Sequence, residues 1–376
     1  MNILYISKLN GKPWIGPTYS VPSQIFAQSR YDNVFWYNLI ETFSSTESAF
    51  NDILQKWRSF SFYHDLNDFP IKKIASLPKP FDNPDLVVFE QCYPFAKESL
   101  LIKEIKRRRI PYVVIPRGEF TNQAQSKKRI KKIVGNIVFR YKSFLNKALA
   151  IQCLTEQENR ETGLKWNKRR LIIPNGVNVN TYKHKEKSDN GFVFISIGRY
   201  EPYQKGLDLL IEALSVFKSD LLSKGIRVEL YGSNAEGKRI DLEHLCEKRN
   251  LQEVVFFNDA VFNEAKRNAL AGADVFLMPS RFEGHPTGLL EALSFGLPCL
   301  ATTGSNMRKE IENNDAGWGA DNNVYSICDA LKKLISELPN LEEKRKNAYN
   351  LALKYSWDSI AKEAHKEYEE LLSSKR

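Results

Sequence analysis

The sequence predicts an α/β protein in two similar halves, each a parallel sheet covered by helices. Three observations predict it. Short apolar runs without polar alternation, such as DLVVFE at Asp85 to Glu90 and VFLM at Val275 to Met278, suit strands buried on both faces. Between such runs lie segments with apolar residues three and four apart, so strand and helix alternate along the chain. The chain has 376 residues, 42% hydrophobic and 27% charged, enough for two domains with separate cores and too apolar for extended disorder.

In the first half, Asn2 to Ser7 is a strand, and a loop from Lys8 to Ser20 with Gly11, Pro13, Gly16 and Pro17 leads to a helix beginning near Val21. Strand, glycine loop and helix resemble a phosphate-approach element, with an ordinary turn as the alternative. Asn33 to Tyr37 is the next strand, and Ser44 to Arg58 carries no assignable pattern. Asp85 to Glu90 is a strand, Pro94 to Arg109 a helix and Tyr112 to Ile115 a strand. The loop Pro116-Arg117-Gly118-Glu119 then stands at the carboxyl end of the sheet, where ligands bind, unless Arg117 is simply solvated.

Ser126 to Asn146 sets Lys127, Lys128, Arg129, Lys131, Lys132, Arg140 and Lys142 against an apolar stripe. Such a basic amphipathic helix suits an anionic membrane surface, and a domain helix with a solvated basic face is the alternative. Ala148 to Cys153 is a strand, Thr155 to Gly163 a helix opened by a Thr155/Glu158 capping box, and Leu171 to Val177 a strand. The unpatterned Asn178 to Asn190 reads as a linker.

Phe192 to Gly198 opens the second series as a strand, followed by a loop and a helix from Gly206 to Phe217. Arg199 and Lys205 lie where that loop meets the helix N-terminus, so they can act with the helix dipole on a diphosphate. Strands at Arg227 to Tyr231 and Val254 to Phe257 alternate with helices at Arg239 to Arg249 and Asn263 to Ala271. Ala273 to Thr302 holds the strand VFLM, a loop with Gly, His and Pro, and a helix from Gly288 to Phe295, before a strand at Pro298 to Thr302. Two carboxylates, Glu283 and Glu291, stand eight positions apart there, a spacing that can grip one ligand at two places. A Gly-rich segment, Gly317 to Asn323, precedes helices at Val324 to Glu337, Leu341 to Tyr355 and Trp357 to Leu372, the last with Ile360, Ala364, Tyr368 and Leu371 on one stripe.

The formal charge of +10 favours an anionic partner. No interleaved aromatic platform or base-reading module accompanies it, which argues against nucleic acid. Cysteines at 92, 153, 246, 299 and 328 show no metal spacing, so a reducing compartment and no structural zinc are expected. Met1 leads directly into strand-like residues, and no apolar run approaches the roughly 20 residues of a membrane span, so neither signal peptide nor anchor is expected.

The segments IGPTYSVP, IPRGEF, LTEQE, IPNGV, SIGRYEPYQKGLDLLIEAL, ADVFLMPSRFEGHPTGLLEALSFGLPCLAT and YSWDSIAKEAHKEYEELL, in this order, resemble the retaining nucleotide-sugar-dependent glycosyltransferases of family 4. The GR…KG segment and the glutamate pair are the specific parts. The resemblance implies a GT-B fold, two facing Rossmann-like domains at 1–180 (acceptor) and 181–355 (donor), with a helix at 356–376 returning to the first domain. It implies that Arg199 and Lys205 hold the donor diphosphate. Glu283 is implied to lie by the sugar, with Gly284, His285, Pro286, Thr287, Gly288 and Leu289 around it. Glu291 is implied on the ribose, Asp259, Ala260 and Val261 beside the base, and Gly16, Gly198 and Gly232 among the donor-binding residues. Arg117, Gly118 and Glu119 are implied on the acceptor side.

Three departures accompany the resemblance. Ile15 precedes Gly16 where many relatives have a Gly-Gly pair, Arg117 replaces a common histidine, and His285 stands where Phe or Leu is usual. Arg117 is a variant associated with polysaccharide assembly, and its expected role shifts toward the acceptor or a phosphate.

The expected activity is retaining transfer of a hexose-type sugar, from a UDP-sugar rather than a GDP-sugar, to a glycan or lipid-linked glycan. No metal is expected, because no Asp-x-Asp occurs. The expected location is cytoplasmic, with peripheral membrane contact through Ser126 to Asn146. The competing readings are a catalytically silent relative, which loss of Glu283, Arg199 or Lys205 would mark, and a nucleotide-sugar epimerase, which would lack the glutamate pair beside GR…KG.

Overall fold

A computed structural model describes residues 1–11, 16–40, 48–95, 99–120, 141–162, 166–179, 191–234 and 237–374. Ile15, most of the basic segment (126–140) and most of the linker (180–190) lie outside the described residues. The chain divides into two compact units, Met1–Gly176 with Trp357–Arg376, and Val177–Ser356.

The first unit is built on seven parallel strands: β1 (Asn2–Ser7), β2 (Asn33–Asn38), β3 (Tyr63–Asp65), β4 (Leu86–Glu90), β5 (Tyr112–Ile115), β6 (Ala150–Cys153) and β7 (Arg170–Ile172). Their order is β3-β2-β1-β4-β5-β6-β7. The chain grows outward from β1 in one direction, then returns to add β4 on the other side, so the switch of direction falls between β1 and β4. Leu4, Ile6, Val87, Phe89 and Val114 are buried because both faces of the sheet are covered, which is why these strands read as unbroken apolar runs. The helix Trp357–Ser373 buries Ile360, Ala364 and Tyr368 on one stripe and packs on the helix Pro17–Gln28. Tyr368 Oη donates to Gln152 Oε1 at 2.6 Å, and Arg30 and the Tyr31 hydroxyl both donate to Asp358. Gly176 admits this helix, since a Cβ there would stand 2.5 Å from the Trp357 ring.

The second unit is built on six parallel strands: β8 (Phe192–Ile197), β9 (Ile226–Gly232), β10 (Val255–Asp259), β11 (Val275–Met278), β12 (Cys299–Thr302) and β13 (Gly317–Ala320). The order β10-β9-β8-β11-β12-β13 places the switch between β8 and β11. Asn323 caps the helix Val324–Glu337 by accepting from Ser326 N at 2.9 Å, and Ile327, Leu331 and Leu334 bury against the helix Leu207–Val216. Each such side chain contributes about 1.5–3 kcal/mol by leaving water.

Several elements differ from the sequence reading. The first helix starts at Pro17, not near Val21; proline suits the first turn, where its missing N–H is not needed, and Pro22 is tolerated inside. Ser48–Arg58 is a helix, and β3 arises from a stretch without a strand-length apolar run. The Gly-rich GWGA forms edge strand β13, because Gly317 lets the backbones close up: a Cβ would lie 2.0 Å from Cys299 O. The run at 171–177 is strand only over Arg170–Ile172, and a short helix, Pro202–Lys205, fills the loop after β8.

Candidate functional site

The switch point between β8 and β11 brings two loops of the second unit together, and crevices of this kind are where open α/β sheets bind ligands. From the loop after β8 come Arg199 and Lys205, and from the loop after β11 comes Glu283. Lys205 Nζ stands 2.6 Å from Glu283 Oε1, with the two side chains 20% and 10% exposed. Ser280 Oγ donates to the same oxygen at 2.7 Å. Arg199 NH2 donates to Gln204 Oε1 at 3.1 Å. Gly198, Arg199, Tyr200, Lys205, Met278 and Ser280 line a pocket at this place.

Glycine makes the approach possible. Gly206 has φ +64°, and a Cβ there would lie 1.9 Å from Pro279 O, so the residue after Lys205 has to be glycine for the two loops to meet. At Gly232 a Cβ would stand 2.5 Å from Gly198 O. The loop after β11 is held from below: Thr302 Oγ1 donates to Ser280 O at 2.6 Å, Asn322 Nδ2 to Ser280 O at 3.1 Å and Asn306 Nδ2 to Glu283 O at 2.6 Å. The helix Thr287–Ser294 follows at once, and its amino end faces the same loop with the positive end of its dipole. Chemically, the site offers two cations lining a pocket at the carboxyl end of the central strands and a carboxylate paired with one of them, a set suited to a phosphate-bearing ligand with hydroxyls.

The other implied donor residues stand in known surroundings. Glu291, in that helix, is ion-paired with Lys266 Nζ. Asp259 ends β10 with a fully exposed side chain, 3.3 Å from Arg239 NH1, and Ala260 and Val261 are half-buried beside it. Nothing fills the space where a Cβ on Gly284 would lie, whereas Gly288 has Ile197 O at ordinary contact, 3.7 Å. His285 is half-buried, its ring 6.3 Å from that of Tyr355. Pro286 O accepts from Leu289 N at 3.0 Å, and Thr287 N donates to His285 O at 3.0 Å, which starts the helix. Tyr200, which the motif reading passed over, bonds Leu230 O and Asn258 O with one hydroxyl, and burial pushes its pKa up to about 12. Ser280, Gln204 and Asn306 belong to no motif, and only their places in the segments that follow β11, β8 and β12 mark them.

In the first unit, Arg117 turns inward. Its Nε donates to Glu90 at 2.7 Å, NH1 to Ser20 Oγ at 3.2 Å and Asn175 Oδ1 at 3.0 Å, and NH2 to Gln24 Oε1 at 2.8 Å. With its side chain 4% exposed and Glu90 at 0%, the guanidinium neutralises a buried carboxylate. Glu119 instead accepts from Cys92 N at 2.6 Å and Tyr93 N at 3.3 Å, while Gly118 N donates to Glu158. Burial raises the Glu158 carboxyl above its ordinary range, against the opposing backbone bonds. Gly16 begins the helix Pro17–Gln28, its carbonyl accepting from Tyr19 N and Ser20 N. Among the described residues no group of three or more His, Cys, Asp or Glu side chains could hold a metal ion, and no helix is long and apolar enough to cross a membrane.

Two doubly wound parallel sheets, one bearing this switch-point site, define a protein of the GT-B class. Residues 179–353, nearly all of the second unit, match the family described as Glycosyl transferases group 1. A glycogen synthase from Marinomonas sp. is 28% identical over 224 residues, covering 54% of this chain and 45% of that protein. The UDP-Gal:alpha-D-GlcNAc-diphosphoundecaprenol alpha-1,3-galactosyltransferase of Escherichia coli is 28% identical over 183 residues, 44% of this chain and 45% of its own. The matched segment thus spans about half the length of these curated relatives. The structure of HepE from Anabaena, solved in complex with UDP, superposes with a TM-score of 0.73 over 98% of this chain and 100% of its own, at 16% identity, a likeness of fold.

Proposed function

We propose that this protein is a retaining glycosyltransferase that moves a hexose-type sugar from a UDP-sugar to a glycan or lipid-linked glycan in cell-surface polysaccharide assembly. It would act in the cytoplasm, peripherally on the cytoplasmic membrane face. The observation that carries the reading is the Lys205–Glu283 pair at 2.6 Å beside Arg199, at the switch point of the sheet that matches the glycosyltransferase family. UDP is preferred because HepE is solved with it and because the Escherichia coli relative is named for a UDP-sugar donor and a lipid-diphosphate acceptor.

In this reading Arg199 and Lys205 neutralise the negative charge that grows on the leaving diphosphate as the glycosidic bond breaks, each contributing about 10²–10³ in kcat. Glu283 supports the positive charge developing on the sugar. The acceptor attacks from the face the leaving group departs, its proton passing to the departing phosphate, so no covalent nucleophile is assigned. Glu291 accepts hydrogen bonds from the ribose after parting from Lys266. The two cations do the neutralising work, so transfer is expected to persist in a metal chelator.

Calorimetry with UDP, GDP and ADP, then a transfer assay with the matching glucose nucleotides under a chelator, tests this. Tightest binding of UDP, with transfer exceeding hydrolysis, supports the reading. Binding without turnover would favour a silent sugar-nucleotide-binding protein, and absence of binding would remove the donor assignment.

A further inference from the structure

We propose that Arg281 and Asp208 form a positioning clamp, locking the loop that carries Arg199 and Lys205 to the loop that carries Glu283. The clamp rests on geometry; its consequence for turnover rests on the donor-site reading. Arg281 NH1 donates to Asp208 Oδ1 and NH2 to Oδ2, both at 2.7 Å, a fork that fixes direction as well as distance. NH1 also donates to Tyr203 O at 2.8 Å, and the guanidinium lies 4.6 Å from the centre of the Tyr203 ring. The main chain joins in, with Arg281 N donating to Gln204 O at 2.9 Å.

One residue of the sugar-side loop therefore grips the phosphate-side segment at three positions, Tyr203 and Gln204 in the loop and Asp208 in the helix that follows it. Gln204 passes the hold on to Arg199, whose NH2 donates to its side chain at 3.1 Å. Two residues beyond Arg281, Glu283 meets Lys205. Gly304 backs the arrangement, for a Cβ there would lie 2.1 Å from Arg281 O. Asp208 stands in the first turn of the helix Leu207–Val216, where the helix dipole favours its charge. A surface ion pair would tie one side chain to one other; this arginine sets the separation of the groups that meet the diphosphate and the sugar. A lysine at 281 would keep the charge and lose the fork.

The test compares Asp208→Asn and Arg281→Lys with Arg249→Gln, which breaks the Arg249–Glu212 pair, 2.7 Å long, elsewhere in the same unit. Amide hydrogen exchange of the full, ligand-free chain is followed over 199–206 and 279–286. Both clamp variants are expected to exchange about tenfold faster or more in both segments, and Arg249→Gln to leave them unchanged. Unchanged exchange in the clamp variants overturns the proposal whatever the donor is. With a UDP-hexose the clamp variants are expected to lose about 10–100-fold in kcat while KM moves less than about threefold, because the reacting groups are misplaced rather than lost. Asp208→Glu is expected to recover part of kcat. A loss of melting temperature with kcat per UDP-binding site preserved would overturn the positioning role. Faster exchange in a chain that binds no UDP would uphold the clamp and refute the donor reading instead.

Discussion

Replacing Lys205 by alanine isolates the contact on which the donor site turns. In the unaltered protein Glu283 has two partners, Lys205 Nζ at 2.6 Å and Ser280 Oγ at 2.7 Å. The substitution leaves a carboxylate with Ser280 alone. Breaking a fully buried pair costs about 3–5 kcal/mol, because the remaining charge is stranded. Here the side chains are 20% and 10% exposed, so water reaches the remaining charge and the lower cost of a lost charged hydrogen bond applies, about 2 kcal/mol. For a unit of this size that is a fall of about 4–8 °C in melting temperature. Lys205→Ala combined with Glu283→Ala is expected to be less destabilised than the sum of the two, since no charge is left unpaired. UDP binding is expected to weaken about 10–100-fold in Lys205→Ala, from the loss of one charged contact to the diphosphate. Glu283→Gln, by releasing Lys205, is expected to leave UDP binding unweakened. Calorimetry and thermal melts decide it: Lys205→Ala melting within about 1 °C of the unaltered protein, with UDP affinity unchanged, would refute the reasoning.

Three further outcomes follow. Gly206→Ala is expected to lose about 3 kcal/mol in urea unfolding, since its φ of +64° and the 1.9 Å approach to Pro279 O leave no place for a methyl group. Arg117→Met is expected to cost about 3–5 kcal/mol, because it strands Glu90, whose side chain is 0% exposed; a variant as stable as the parent would show that the guanidinium is not needed there. Burial lowers the His64 pKa from its ordinary value of 6.5, against the pull of Asp68, and the ring stacks 4.3 Å from Phe35. The folded state resists a proton that the unfolded chain takes up near 6.5, so this contribution is present above pH 6.5 and lost as pH falls through the lowered value. His64→Gln is expected to flatten the stability profile in that window, and parallel profiles for the two proteins would count against it.

Much of the fold was legible because many of its strands are short apolar runs, some, such as Leu86–Glu90 and Val275–Met278, buried along their whole length, and its helices are amphipathic, two patterns that survive in one dimension. DLVVFE and FVFISI could be read as strands without any neighbour, and the stripe through Ile360, Ala364 and Tyr368 as one face of a helix. GWGA could not, because a glycine-rich strand is defined by the backbone it lies against, here Cys299. The start of the first helix is hidden for a local reason: Pro17 reads as part of the glycine- and proline-bearing loop, yet the first turn of a helix accepts proline.

The chain by itself determined which residue types stand at the ends of which strands, and so the GR…KG segment, the Glu283 loop and the order of both. These are local facts of spacing. Which of them meet was decided by strand order. Placing β11 beside β8 brings Lys205 to Glu283 across 78 positions of sequence, and the same crossing sets Arg281 on Asp208. Arg117 shows the converse. Its loop position suggested a side chain free to reach a ligand, whereas the guanidinium turns inward and pairs with Glu90, a buried charge on the neighbouring strand β4. A buried charge and its partner come from separate segments, so their pairing is a property of the packed sheet rather than of either segment.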